Sequence, residues 1–358
     1  MTFSKVNVVP LNHVWYRNVV LMAPLRNIIR RFKRNPRTTF PATYFGDGAL
    51  YCSNCQLVSK RNDLTPLEVI HCPKCNTPML VPLPLDDFLL FEPIGSGGLA
   101  SVYKAYHRDA GETVYAVKVL KKQHMSTPDF IHDFIHESDM HGRVAPHPHV
   151  VDFITSGHVN TYHYHVMELI EGTSLRSRIK LSGKLDEQIA LPILLQVLEG
   201  LIHIHRHGVL YRDLNVGNIL VDHRGDAVLI DFGLSLLVEE ANQRHEKPSH
   251  IDGTMEFIPP ERLYGEPEDQ RSLMYSLGLV MFYVLTAESF IKGSDLKRTA
   301  AKHISSLRLA HAPSLPEDVS EHTIALVEAM VQPDPKNRPA TLEEAHTTMT
   351  ASYETLIG

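Results

Sequence analysis

The run Tyr211-Arg212-Asp213-Leu214-Asn215-Val216-Gly217-Asn218 is followed, after one apolar stretch, by Asp231-Phe232-Gly233. Two carboxylates and a carboxamide at fixed spacing are what magnesium-dependent phosphoryl transfer requires: oxygen ligands for a hard cation and a carboxylate able to accept a hydroxyl proton. A second chemistry is written in cysteine. Cys52-Ser53-Asn54-Cys55 and Cys72-Pro73-Lys74-Cys75 contain all four cysteines of the chain, with sixteen residues between the pairs. That spacing matches a four-thiolate zinc site built from two hairpin knuckles, with rubredoxin-like iron as the minor alternative. Disulfides would call for an oxidising compartment and a secretory signal, and the basic start shows neither a clean apolar core nor a small-residue cleavage site. Four thiolates fill the coordination sphere, leaving no position for a reactive water. His71, next to Cys72, is read as a strand residue. A module of about thirty residues buries too little core to fold alone, so the metal is first a folding device.

The phosphoryl-transfer groups need elements to position them, and candidates precede them in order. Ile94-Gly95-Ser96-Gly97-Gly98-Leu99-Ala100-Ser101-Val102-Tyr103 reads as a glycine-rich hairpin, where missing Cβ atoms would let backbone approach phosphates. Tyr115-Ala116-Val117-Lys118-Val119-Leu120 alternates like a strand. Thr127-Pro128 reads as an N-cap with proline at the first helical position, opening a helix through Phe130, Ile131, Phe134, Ile135 and Glu137. Glu137 lies three residues after Phe134, which sets a carboxylate beside the apolar face. A core helix spans roughly Glu187 to Arg206, with His203, His205 and His207 near its end. Alternate spacing splays those three around a helix, so they are not read as a metal site.

Taken together, these motifs resemble the eukaryotic-like (Hanks-type) serine/threonine protein kinases over roughly residues 86 to 350. The resemblance implies an α+β bilobal fold, with a β-rich lobe at 86–168 and a helical lobe at 172–350, preceded by a zinc ribbon at 47–81. It implies ATP, Mg2+ and protein substrates, while Zn2+ rests on the two cysteine pairs. Gly95, Gly97, Gly98, Val102, Ala116 and Lys118 would line the nucleotide site, with Met167 as gatekeeper and the hinge backbone at Glu168 and Ile170 facing adenine. Glu137 would pair with Lys118. Asp213 would orient and deprotonate the acceptor hydroxyl, while Asn218 and Asp231 would hold magnesium. Gly253-Thr254 and Pro259-Pro260-Glu261 are similar to the end of a serine/threonine activation segment, with Glu261 expected to pair with Arg338. Arg212 is expected to offer a partner to a phosphate on that segment, with Ser249 the favoured acceptor and Thr254 structural.

Departures from the family pattern are equally specific. Ala100 replaces the third glycine and Tyr211 the commonest histidine. Asn215 stands where a lysine usually contacts the transferred phosphate. Leu273 stands where an aspartate usually anchors the catalytic loop, with Asp269 as a possible relay. Asn215 and Leu273 motivate the alternative of a pseudokinase scaffold that docks partners without efficient transfer. A small-molecule kinase on the same fold is disfavoured by the activation-segment match.

The chain has 358 residues, 43% of them hydrophobic, enough for one two-lobed core plus a small module. Residues 1–46 form a basic leader with eight Lys or Arg and no Asp or Glu, leaving a net charge of −14 on the remainder. Such asymmetry suggests contact with an anionic membrane surface, an acidic partner or the acidic helical lobe, or simply a basic linker folding onto the rest. Lys60, Arg61 and Lys74 are too sparse for a nucleic-acid surface, so the ribbon is read as a docking or packing module. Pro82-Leu83-Pro84-Leu85 reads as a stiff linker. No uninterrupted apolar run reaches bilayer length, and the expectation is a soluble, cytoplasmic protein.

Overall fold

The computed structural model describes residues 49–52, 54–60, 64–110, 113–245, 252–290 and 315–358. The leader, Arg61 and Ser249 lie outside them. Two short antiparallel hairpins come first, β1 (Ala49–Tyr51) with β2 (Val58–Lys60) and β3 (Val69–His71) with β4 (Pro78–Leu80). They enclose a small cluster of Leu50, Cys52, Cys72, Met79 and Val81.

The chain then enters an antiparallel six-stranded sheet of β5 (Leu83–Leu85), β6 (Phe88–Ser96), β7 (Ala100–His107), β8 (Val114–Leu120), β9 (Phe153–Val159) and β10 (Tyr162–Glu168), in the order β5-β6-β7-β8-β10-β9. The expected linker at Pro82–Leu85 is therefore corrected: Leu83 and Leu85 pair with Leu90 and Phe88 as an edge strand. Alternation explains it, since both leucines point into the sheet core while Pro84 faces out, and an edge position tolerates a residue without an N–H. Leu67 of the first module packs against the same core. Helix α1 (Pro128–Gly142) lies against β9 and β10. Thr127 occupies its N-cap position but makes no side-chain capping bond. Phe134 is buried, whereas Phe130 and Ile135 face solvent.

The second lobe opens with β11 (Gly172–Ser174), α2 (Leu175–Ser182) and α3 (Glu187–Arg206), followed by β12 (Val209–Leu210), β13 (Ile219–Asp222), β14 (Ala227–Leu229) and β15 (Leu236–Leu237). Among the described residues it also holds helices α4 (Val238–Ala241), α5 (Pro260–Tyr264), α6 (Gln270–Thr286), α7 (Glu321–Met330) and α8 (Leu342–Ile357). By length and composition α3 is apolar enough to cross a membrane. Here Leu191, Leu194, Val197, Leu198 and Leu201 are wholly buried in the lobe, which gives its apolar character a core role. α6 is buried around almost its whole circumference, as a helix with apolar residues on every side must be. The result is the bilobal kinase fold: a β-rich lobe carrying α1, and a helical lobe built on α3 and α6.

Candidate active site

Lys118 points from β8 into the space between the lobes, where its Nζ donates to Glu137 of α1 and, at 3.1 Å, to Asp231. Glu137 is 4% exposed. Burial opposes the charge on Lys118, yet Asp231 and Glu137 outweigh it and hold the ammonium above its ordinary range. Burial pushes Glu137 up to about 7, and Lys118 only partly offsets this. Burial would also raise Asp231, but Lys118 holds it below the usual carboxylate range. Asp231 is thus the more readily ionised of the two carboxylates that face Lys118.

The position of α1 that allows this is fixed by contacts behind it. His141 stacks on Phe232 with ring centroids 4.5 Å apart and meets Phe153 edge-on at 5.3 Å. Phe232 in turn meets Tyr211 at 5.5 Å. A continuous column of rings thus runs from β9 through α1 to the catalytic loop. His141 accepts its place as a neutral ring: burial pulls its pKa down to about 4, and its Nε2 lies 2.7 Å from the Val151 carbonyl. His136 adds a 2.9 Å contact to the Ser235 carbonyl, tying α1 to the segment after Asp231.

On the facing lobe, Asn218 Nδ2 donates to both the backbone carbonyl and Oδ2 of Asp213, each at 3.0 Å. This turns the amide oxygen of Asn218 away from Asp213. Asp213 Oδ1 accepts from the Thr254 N–H at 3.1 Å, so the Gly253–Thr254 turn rests on this carboxylate. Asn215 is buried and braces the loop from inside, donating to the Asp213 carbonyl at 3.1 Å and accepting from Gly217 N–H at 2.8 Å. Its side chain is consumed by the loop's own geometry, which accounts for an amide where a cation was expected.

The donor set fits a divalent cation. Asn218 contributes a carbonyl-type oxygen, and Asp231 an ionised carboxylate whose side chain is still 37% exposed to the cleft. The hairpin above fits a phosphate chain. A Cβ on Gly97 would meet nothing nearer than Ala100 O at 3.8 Å, and one on Gly98 nothing within 4 Å, so protein packing does not account for these glycines. Between hairpin and floor lies an apolar shelf. Val102, Ala116, Met167 and Ile170 belong to it, as the sequence suggested, joined by Ile94, Val151, Leu169, Val228 and Ile230, which sequence reasoning missed. Glu168 N–H is bonded to Asp152 O at 3.0 Å, which ties the hinge to the chain that leads into β9.

This chain matches the family profile described as a protein kinase domain over residues 88–351. The chain belongs to the protein kinase family. It is 29% identical to serine/threonine-protein kinase PrkC of Bacillus subtilis, over 73% of this chain and 40% of that protein. It is likewise 29% identical to a probable serine/threonine-protein kinase PknB of Bifidobacterium longum, over 71% of this chain and 38% of that one. Serine/threonine-protein kinase pkn2 of Myxococcus xanthus is 32% identical over 75% and 33%. The chain thus matches about two fifths or less of the length of these relatives.

Two expectations drawn from the kinase resemblance need correction. Arg212, expected to offer a partner to a phosphate, already has an anionic one: Glu268, 4% exposed, accepts from its Nε at 2.8 Å. Asp269 is no relay to the catalytic loop either. It caps α6 through the Arg271 N–H and pairs with the Arg271 side chain, while Leu273 is buried in the lobe's apolar core. Glu268, one residue earlier, has no local signal that singles it out, because the acidic run Glu266-Pro267-Glu268-Asp269 reads as solvated loop charge. Glu261 and Arg338 do meet, in a buried two-bond fork at 2.7 and 3.0 Å.

The four cysteines of the first module converge, all Sγ atoms lying within 4.8 Å of one another. Each pair sits on the same knuckle turn. Gln56 N–H bonds Cys52 O and Asn76 N–H bonds Cys72 O, with Gln56 and Asn76 both at positive φ. No pair is joined as a disulfide, and the cross-pair separations Cys52–Cys75 and Cys55–Cys72 are 3.4 and 3.5 Å. Hydrogen bonding with Thr77 brings the Cys75 thiol down to about 5. Among the described residues this is the one cluster that gathers three or more metal-ligating groups. His203 instead stacks on His147 and lies tilted against His207, each with ring centroids 4.4 Å away.

Proposed function

We propose that this chain transfers the γ-phosphate of ATP to serine or threonine hydroxyls of protein substrates. The observation that carries this reading is the convergence of Asp213, Asn218, Asp231, Lys118 and Glu137 on one cleft between the lobes. The adenine would lie on the shelf of Val102, Ala116, Met167 and Ile170, and the phosphates under Gly95 to Gly98 beside Lys118. Magnesium, held by Asn218 and Asp231, would neutralise charge on the phosphates as the bond to the leaving group breaks. Asp213 orients the acceptor hydroxyl and takes its proton. Asn218 holds the Asp213 carboxylate in place through Nδ2, and the Thr254 amide steadies its other oxygen. Lys118, kept charged by two carboxylates, binds the phosphate chain and fixes α1 through Glu137. The serine/threonine preference rests on the Gly253-to-Glu261 segment and on the names of the relatives.

Zn2+ in the four-cysteine module fits the two matching knuckle turns and the absence of a disulfide. The metal would hold the two hairpins together, leaving their outer faces and the basic leader to dock a protein partner, an acidic one or an anionic membrane surface. Unpaired thiols at this spacing fit a reducing compartment such as the cytoplasm.

The test is transfer of labelled phosphate from magnesium-ATP to a basic protein substrate, comparing the full chain with Asp213→Asn. The substitution should lower turnover by about two to four orders of magnitude, the scale of lost general-base catalysis, while nucleotide affinity stays unchanged. Tight ATP binding without transfer by either protein would instead favour the scaffold reading that Asn215 and Leu273 raise.

A further inference from the structure

Arg212 adjoins Asp213, and its guanidinium is 8% exposed. Arg262, one residue past Glu261, is 3% exposed. Both reach one carboxylate. Glu268 accepts from Arg212 Nη2 at 2.6 Å and Nε at 2.8 Å, and from Arg262 Nη2 at 2.6 Å and Nε at 3.0 Å. Burial would raise the Glu268 pKa, but Arg262 and Arg212 hold it below the usual range, so it is ionised. A buried cation left without an anion is strongly destabilising, and Glu268 relieves two at once.

What those two arginines hold gives the carboxylate its consequence. Through Arg212 it fixes the chain beside Asp213. Through Arg262 it lies against the turn that rests on Asp213: Arg262 Nη1 lies 3.2 Å from where a Cβ on Gly253 would stand. Gly253 has φ +123°, so the turn passes over Arg262 in a form that favours glycine. The next residue, Thr254, donates its N–H to Asp213 Oδ1. Two routes therefore lead from Glu268 to one catalytic carboxylate, one through the catalytic loop and one through the activation segment. Phosphorylation orders such segments by giving an arginine beside them an anionic partner. Here the partner is a side chain of the connection between α5 and α6, anchored by its own N–H to Ala241 O at 3.0 Å.

We propose that Glu268 is a built-in counter-anion that positions the catalytic loop and the Gly253–Thr254 turn together, so that the site is assembled without a phosphate on the activation segment. Glu268 acts through Arg212 and Arg262 and is a positioning residue; it touches no reacting atom. The proposal rests on the phosphoryl-transfer reading for its kinetic consequence, but its structural claim can be read separately.

The experiment uses the full chain, treated with a broad phosphatase and verified phosphate-free by mass spectrometry, beside Glu268→Gln and Glu268→Asp. Transfer to a basic protein substrate is measured together with hydrogen exchange over residues 209–218. Phosphate-free wild type should keep its turnover. Glu268→Gln should lose at least about tenfold in kcat with KM for ATP little changed, because the nucleotide contacts remain and only the catalytic carboxylate is displaced. Glu268→Asp, which keeps the charge, should recover part of that loss and guards against a merely misfolded Gln variant. Phosphatase treatment that abolishes turnover, restored by rephosphorylation, overturns the proposal, as does full kcat in Glu268→Gln. If wild type transfers nothing in either state, the functional reading fails and exchange decides. Protection at Tyr211–Leu214 that is present in phosphate-free wild type and Glu268→Asp but lost in Glu268→Gln then upholds the positioning role. Equal protection in all three refutes it.

Discussion

Replacing Arg338 with methionine removes the cation from a fully enclosed ion pair of the helical lobe, and its partners set the cost. Arg338 donates to both oxygens of Glu261 at 2.7 and 3.0 Å and to the carbonyls of Gln332, Arg271 and Pro333 at 2.6, 2.8 and 3.0 Å. Its guanidinium also lies 4.8 Å from the Tyr275 ring centroid. Glu261 is 3% exposed, and without Arg338 it would keep only the Ser272 hydroxyl. Breaking one side of a buried pair costs about 3–5 kcal/mol, because the remaining charge is left uncompensated. In a domain of this size that corresponds to a fall in Tm of roughly 6–20 °C. Urea unfolding followed by circular dichroism should show the loss for Arg338→Met and a similar one for Glu261→Leu. The double variant should cost clearly less than the two combined, since it leaves no orphan charge and coupled residues are non-additive. Single variants within about 1 kcal/mol of wild type, or a double variant equal to the sum, would refute the reasoning, since surface pairs behave that way.

Two further outcomes follow from the charges and thiols. Cys72→Ser should abolish zinc retention measured by atomic absorption and release hydrogen-exchange protection over residues 64–81, while the helical lobe keeps its far-ultraviolet signal; zinc held at the wild-type level by the variant would remove Cys72 from the ligand set. Glu137, raised by burial from 4.5 to about 7, keeps a proton in the folded state that the unfolded chain has already released. Its contribution to stability is therefore complete below pH 4.5 and is lost as pH rises through 7, so the nucleotide-free protein should lose stability across that window. Glu137→Gln should flatten the decline, and an unchanged pH slope in the variant would assign the effect to another group.

How far the sequence can be read depends on whether a residue's partners are near it along the chain. Asp213, Asn215 and Asn218 lie within one short loop, and their mutual hydrogen bonds follow from that spacing. The two cysteine knuckles repeat one local turn, and the helix at Glu187–Arg206 announces itself by apolar periodicity. The apolar shelf under the glycine-rich hairpin was only half legible. Val102 and Ala116 come with the strand motifs, whereas Val228 and Ile230 join from the other lobe through a fold that no local pattern encodes. Leu83–Leu85 was misread as a linker because a strand of three residues with a central proline becomes a strand only when a neighbour offers its edge.

The family of this protein is legible in its residue order, because phosphate, metal and proton chemistry demand particular residue types in a set order. The same order also shows where the thiolate module stands and which helices form the core. The tertiary structure alone decided which charges are spent on one another. Asp269 and Glu268 are neighbours of the same sign in the sequence, yet one caps a helix at the edge of the lobe and the other is enclosed between two guanidinium groups. The physical reason is that electrostatic energy inside a protein is set by distance and burial, and both are properties of the packed chain, with no counterpart in the local order of its residues.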